Sequence, residues 1–151
     1  MRIASVDTGI GTLGVVESDE NIVRLVWSTE PVSATTSLLK EAVAQMSSYF
    51  AGKLTSFDLP LNPDGSGFQK RVYEAMLAIP YGETLTYGEV AKNLDTSAQP
   101  VGNACGSNPI PIIIPCHRVL GSNGLGGYSG EGGVEMKIHL LRLENAIPFL
   151  I

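Results

Sequence analysis

Cysteine, histidine and positive charge are all scarce in this chain. Its 151 residues hold two cysteines, Cys105 and Cys116, and two histidines, His117 and His139. So few residues at these spacings make neither a disulfide framework nor a common zinc pattern, and the expectation is no metal site and no cofactor. No apolar run approaches the ~18 residues that a spanning helix needs, although 44% of the chain is hydrophobic. Met1-Arg2-Ile3 leads straight into a strand-like pattern with no signal peptide, so a cytoplasmic protein with no membrane contact is expected. The net charge of −5 argues against a broad non-specific nucleic-acid surface, because phosphate contacts need clustered Lys and Arg. Any DNA footprint must be local.

What is present is a chain of one domain or two small lobes, long enough to bury a core. Ile3 to Asp7, Thr12 to Val16 and Ile22 to Trp27 read as three strands of an antiparallel meander. Leu39, Val43, Met46 and Phe50 recur at helical spacing, which predicts an amphipathic helix over 37–50 closed by Gly52. The Pro, Asp and Gly of residues 60–67 read as a linker. Beyond it, Phe68, Val72, Ala75, Met76 and Ile79 share one helical face, stopped by Pro80-Tyr81-Gly82, with Lys70 and Arg71 on the other face. Thr86 with Glu89 forms a capping box for a short helix through Leu94. Asp95, Thr96 or Ser97 then caps a second helix to about Ser107, with Pro100 in its first turn. Two short helices joined by a tight polar turn read as a helix-turn-helix. Ala98, Gly102 and Cys105 give the second helix a smooth stripe, suited to packing on a neighbouring helix or to close approach to a DNA groove. Pro111 to Pro115 reads as extended, the glycine-rich residues 121–133 as a loop, and 134–145 as a last helix with Ile138, Leu140 and Leu141 inward.

The chemistry concentrates in Ile112-Ile113-Ile114-Pro115-Cys116-His117-Arg118-Val119, an apolar run that delivers a cysteine beside histidine and arginine. Neighbouring positive charge favours the thiolate, the form that acts as nucleophile, whereas an isolated buried cysteine is usually just a small hydrophobe. Cys105 lacks such neighbours and is expected to be inert. Glu144 falls at the edge of the last helix's apolar face, where a carboxylate calls for a partner. Either a structural salt bridge or a catalytic role fits.

These motifs come in a linked order. Ile79-Pro80-Tyr81-Gly82, Thr86-Tyr87-Gly88-Glu89-Val90-Ala91, Gly106-Ser107-Asn108-Pro109, Pro115-Cys116-His117-Arg118-Val119, Gly127-Tyr128-Ser129-Gly130 and Leu140-Leu141-Arg142-Leu143-Glu144 resemble the O6-alkylguanine-DNA alkyltransferase family. The resemblance implies an α/β (α+β) fold in two lobes. Residues 1–62 would be a small ribonuclease-H-like domain with an antiparallel sheet and a helix. Residues 63–151 would be a mostly helical DNA-binding and alkyl-acceptor domain carrying the helix-turn-helix. The implied activity is irreversible transfer of the alkyl group from O6-alkylguanine, and from O4-alkylthymine, to Cys116, on a base flipped from the minor groove of double-stranded DNA by a monomer. By the same resemblance His117 deprotonates Cys116 through a water, Glu144 orients His117, and Tyr87 crowds the target phosphate and donates toward the purine. Asn108 braces the turn into the site, while Ser129 and the carbonyls of Cys116 and Val119 meet the purine edge against Tyr128. Arg118 is structural. Thr86, Ser97, Gln99 and Gly102 are the expected DNA contacts of the helix-turn-helix. Gln99 departs from the family, which usually places an arginine there to enter the base stack; glutamine supplies neither the charge nor the guanidinium plane. A rival within the resemblance is a lesion-binding protein that signals to another repair pathway, but such proteins lack the acceptor thiol that Cys116 provides. A cysteine hydrolase is a third reading, disfavoured because its histidine usually comes from a distant segment.

Overall fold

The computed structural model describes residues 1–27, 29–122, 124–125 and 133–146. The chain divides into two compact units, Met1–Asp64 and Gly65–Ile151.

The first unit is a three-stranded antiparallel sheet, β1 (Arg2–Asp7), β2 (Thr12–Ser18) and β3 (Asn21–Val26), in that order, with helix α1 (Ser37–Phe50) packed on β1 and β2. Asp19 and Glu20 both take positive φ (50° and 63°), the conformation of a two-residue hairpin turn that matches strand twist. Gly14 is required by packing, since a Cβ there would lie 2.6 Å from Val26 Cγ2 and 2.8 Å from Ile3 Cδ1. Thr36 caps α1 by accepting from the Leu39 N–H at 3.0 Å, and Gly52 follows the helix with φ +76°. The buried face of α1 is Leu39, Ala42, Met46 and Tyr49. Val43 and Phe50, expected on that face, sit at its margin, and Phe50 packs edge-on against the Tyr49 ring at 5.2 Å. The linker expectation also needs correcting at its start. The Ile22 N–H donates to Pro60 O and the Asn62 N–H to Ile22 O, so residues 60–62 run alongside β3.

The second unit opens with α2 (Gly67–Leu77), started by a reciprocal capping box between Ser66 and Gln69. Two-residue strand β4 (Leu85–Thr86) leads into α3 (Tyr87–Asn93), capped by Thr86 and Glu89 as the sequence predicts. Asp95 at φ +56° turns the chain into α4 (Ala98–Gly106), which packs on both α2 and α3. Ser97 stands at the N-cap of α4 without a side-chain cap bond.

Residues 111–115 are not extended. Ile112 adopts φ +75°, the Ile113 N–H donates to Pro111 O and the Ile114 N–H to Ile110 O, so the segment is a tight turn. The two prolines fix their own φ but leave Ile112 free. The buried Asn108 side chain holds the turn, with Nδ2 donating to Ile114 O (2.9 Å) and Oδ1 accepting from the Ile110 N–H (3.0 Å). A β-branched residue at positive φ is unfavourable and persists only where its surroundings enforce it. A single 3₁₀ turn, Cys116–Arg118, then runs into β5 (Val119–Leu120), which pairs in parallel with β4.

The last helix, α5 (Gly133–Leu143), ends two residues earlier than its pattern predicts. Asn145, at φ +57°, closes it: the Asn145 N–H donates to Arg142 O and the Ala146 N–H to Leu141 O. The buried stripe of this region is Lys137, Leu140, Leu141 and Glu144, with Ile138 only half-buried.

Candidate active site

The site forms where the 3₁₀ turn, the end of α5 and the start of α3 meet within the second unit. Cys116 begins the 3₁₀ turn with 4% of its surface exposed, its N–H donating to Ile114 O at 2.8 Å. The Asn108 clamp therefore ends one residue before the cysteine's neighbour Pro115 and fixes the backbone that presents the thiol.

His117 is fully buried, and its Nε2 lies 2.7 Å from Glu144 Oε2. Burial pushes the imidazole pKa below its ordinary value, ahead of the opposing pull of the Glu144 hydrogen bond and charge. A neutral ring facing a carboxylate carries its proton on Nε2, which leaves Nδ1 a lone-pair acceptor. Nδ1 has no hydrogen-bond partner among the described residues. This is the geometry of an oriented base.

Glu144 serves a second group with the same carboxylate. Arg118 Nε donates to Oε1 at 2.8 Å and Nη2 to Oε2 at 3.0 Å, a forked pair buried from water. Arg118 Nη1 donates to Ile79 O at 2.7 Å, and its guanidinium lies 5.8 Å from the Tyr81 ring centre. The sequence left a salt bridge and a histidine-orienting role as alternatives for Glu144. The carboxylate makes both contacts, the ion pair with Arg118 and the hydrogen bond with His117, on one side chain. Nearby, Gly82 takes φ +83°, a conformation that favours glycine, and a Cβ there would lie in ordinary contact with the Glu144 backbone oxygen at 3.4 Å.

Lys137 is the residue that sequence reasoning missed. Its side chain is fully buried, Nζ donates to Val119 O at 2.7 Å, and the ammonium lies 5.6 Å from the Tyr87 ring centre. Burial pushes its pKa down to about 8, while Cys116 and Cys105 pull the other way. The Lys137, Leu140, Leu141, Glu144 spacing was a signal, since positions i, i+3, i+4 and i+7 share one helix face, but a lysine is read as solvated by default. Tyr87, the first residue of α3, is driven up to about 12, first by burial and then by the two cysteines, and so stays a phenol at neutral pH. Cys105 is also pushed up to about 12, chiefly by burial, and its thiol contacts Met76 Sδ at 3.5 Å.

The structure thus brings Cys116, His117, Glu144, Tyr87, Val119 and the Asn108 clamp into one unit. Gln99 lies exposed on the second residue of α4, with Ser97 exposed just before it, Thr86 half-buried at the start of α3, and Gly102 half-buried on the α4 face toward Tyr87. Tyr128 and Ser129 fall outside the described residues. Among the described residues no group of His, Cys, Asp and Glu is disposed to hold a metal ion, and no helix is long and apolar enough to cross a membrane.

Comparison with known proteins covers both units of the chain. Residues 67–146 match the family profile described as the DNA binding domain of 6-O-methylguanine DNA methyltransferase, and residues 1–63 match its ribonuclease-like domain. The methylated-DNA–protein-cysteine methyltransferase of Mycobacterium bovis is 42% identical over 97% of this chain and 86% of its own length. That of Methanosarcina acetivorans is 52% identical over 71% of this chain and 69% of its own. Among solved structures, Mycobacterium tuberculosis OGT in complex with DNA superposes with a TM-score of 0.86 at 40% identity, covering 97% of this chain and 94% of that one. With both of its units matched in order, the chain belongs to the 6-O-methylguanine DNA methyltransferase family.

Proposed function

We propose that this protein reverses DNA alkylation damage by moving the alkyl group from guanine O6 onto the sulfur of Cys116. The buried His117–Glu144 pair beside Cys116 is the observation that carries the reading. Nδ1, held open as an acceptor, takes the thiol proton through a bridging water, and the Cys116 thiolate attacks the alkyl carbon in line with the C–O6 bond. The sulfur–carbon bond forms as the carbon–oxygen bond breaks, and the electron pair leaves on guanine O6. Charge on the departing purine is met by a proton or hydrogen bond from the Tyr87 phenol. Because the product is a thioether, the site is consumed in one turnover.

Recognition of the purine falls to the Cys116 and Val119 carbonyls, together with Ser129 against the Tyr128 ring. The Lys137 contact supports this role for Val119, since it fixes the carbonyl while leaving the oxygen's second lone pair for the base. Reaching such a buried thiol requires the nucleotide to leave the stack. The exposed start of α4 with Gln99, and Thr86, Ser97 and Gly102 around it, is the surface offered to duplex DNA containing O6-alkylguanine. The protein acts there as a cytoplasmic monomer. Retention of Cys116 favours transfer over lesion sensing alone.

Incubating the protein with a duplex oligonucleotide carrying O6-methylguanine tests the reading. The lesion should be converted to guanine in proportion to protein added, then stop, and Cys116→Ser should convert none. Multiple turnovers, or conversion by the serine variant, would overturn it.

A further inference from the structure

The short stretch Ile79-Pro80-Tyr81-Gly82, remote in sequence from Glu144, reaches both sides of the buried ion pair. Ile79 O accepts from Arg118 Nη1 at 2.7 Å, across 39 positions. The Tyr81 ring lies 5.8 Å from the same guanidinium, and the Tyr81 hydroxyl donates to Leu143 O at 3.2 Å, across 62 positions. The Glu83 N–H donates to Pro80 O at 3.0 Å, so the stretch closes as a turn. One turn therefore grips the arginine that follows His117 and the residue that precedes Glu144.

This double grip bears on a weak point of the site. Glu144 follows the last residue of α5, and the last carbonyls of a helix lack partners within it. Helix ends open most readily, yet here the end carries the carboxylate that must face His117 Nε2 at 2.7 Å. The Tyr81 hydroxyl fills one of those carbonyls, Leu143 O, while its ring and Ile79 O hold Arg118, whose fork holds Glu144. Burial first, and then the Glu144 charge, raise the Tyr81 pKa against the pull of Arg118, so the hydroxyl stays a donor at neutral pH.

We propose that Tyr81 is a positioning residue for alkyl transfer, holding Arg118 and the end of α5 so that Glu144 keeps the His117 proton on Nε2. The inference rests on His117 being the base that takes the Cys116 proton. Tyr81 acts through Glu144 and not on the reacting atoms.

Two variants test it. Tyr81→Phe keeps the ring and removes the donor, whereas Tyr81→Leu removes both. Single-turnover transfer from free O6-benzylguanine, which needs no flipping, should slow by about 3–10-fold in Tyr81→Phe, the scale of one hydrogen bond. In Tyr81→Leu it should slow by about 10²-fold, the scale of a displaced reacting group, so that phenylalanine restores much of what leucine loses. Long-range 1H–15N correlation of the His117 ring supplies a readout that a merely structural residue would leave alone. Wild type should show the Nε2–H tautomer alone, Tyr81→Leu a mixture with Nδ1–H, and Tyr81→Phe a smaller share of it. Wild-type rates in both variants, or slower transfer with an unchanged ring, would overturn the role of Tyr81. Should Tyr81→Leu fail to fold, Tyr81→Phe decides by the same two readings. An Nδ1–H ring in the wild type would overturn the base assignment itself, and this inference with it.

Discussion

Replacing Glu144 by Gln perturbs two things at once, and the structure separates them. The carboxylate accepts His117 Nε2–H at 2.7 Å and two Arg118 donors at 2.8 and 3.0 Å. A carboxamide keeps one acceptor oxygen and turns an NH2 toward donors that already point inward. Arg118, only 7% exposed, loses its counter-ion but keeps Ile79 O and the Tyr81 ring. Breaking a buried pair from one side typically costs ~3–5 kcal/mol, and the surviving contacts place the expected loss near ~3 kcal/mol. A domain stable by ~5–15 kcal/mol still folds. Transfer should fall further than folding accounts for, by ~10²–10⁴-fold, because His117 loses the group that fixes its tautomer and orientation. The discriminating variant is the pair Glu144→Gln with Arg118→Met, which removes the stranded charge. Denaturant unfolding should show the double variant more stable than Glu144→Gln alone, while its single-turnover rate stays low. If the double variant regains the wild-type rate, the carboxylate serves only as the partner of Arg118, and the orienting role is refuted.

Lys137→Met should keep the fold yet slow transfer by about 10–100-fold, the loss expected for one charged hydrogen bond, as read by single-turnover kinetics on duplex substrate. Lys137 is lowered to about 8, so between that pH and ~10.4 the unfolded chain binds more protons than the folded one. Wild type should therefore gain stability relative to Lys137→Met as pH rises through this window, measured by denaturant unfolding at its two ends. His117 is likewise held below its ordinary value, which has two consequences. Stability should fall as pH drops below ~6.5, where the unfolded imidazole charges first, while the acid limb of the transfer rate should lie lower still. Gln99→Arg adds a cation to the exposed start of α4. It should tighten duplex binding at low salt and steepen its log–log salt dependence by up to about one unit, with little change in reaction with free O6-benzylguanine.

Much of this site was legible because its residues cluster in sequence or carry local signals. Cys116, His117 and Arg118 are consecutive, and the Thr86–Glu89 box marks the start of α3 to the residue. Features that depend on distant partners were not legible. The turn at Ile112 is enforced by Asn108 from outside the segment, so the two prolines read in isolation pointed to an extended run. Lys137 enters the core with Val119 O and the Tyr87 ring receiving its ammonium, and its helical spacing marks the shared face but not these distant partners. The β4–β5 pair is two residues long, below what alternation can register. On α1, Tyr49 and Phe50 are adjacent aromatics, and helical spacing alone does not decide which is buried.

Cys116, and not the similarly buried Cys105, is the expected acceptor of the alkyl group. Peptide mass mapping after reaction with excess duplex O6-methylguanine decides this most directly. One methyl per chain, confined to the peptide containing Cys116, is the predicted result. A methyl on Cys105, or more than one per chain, would contradict it.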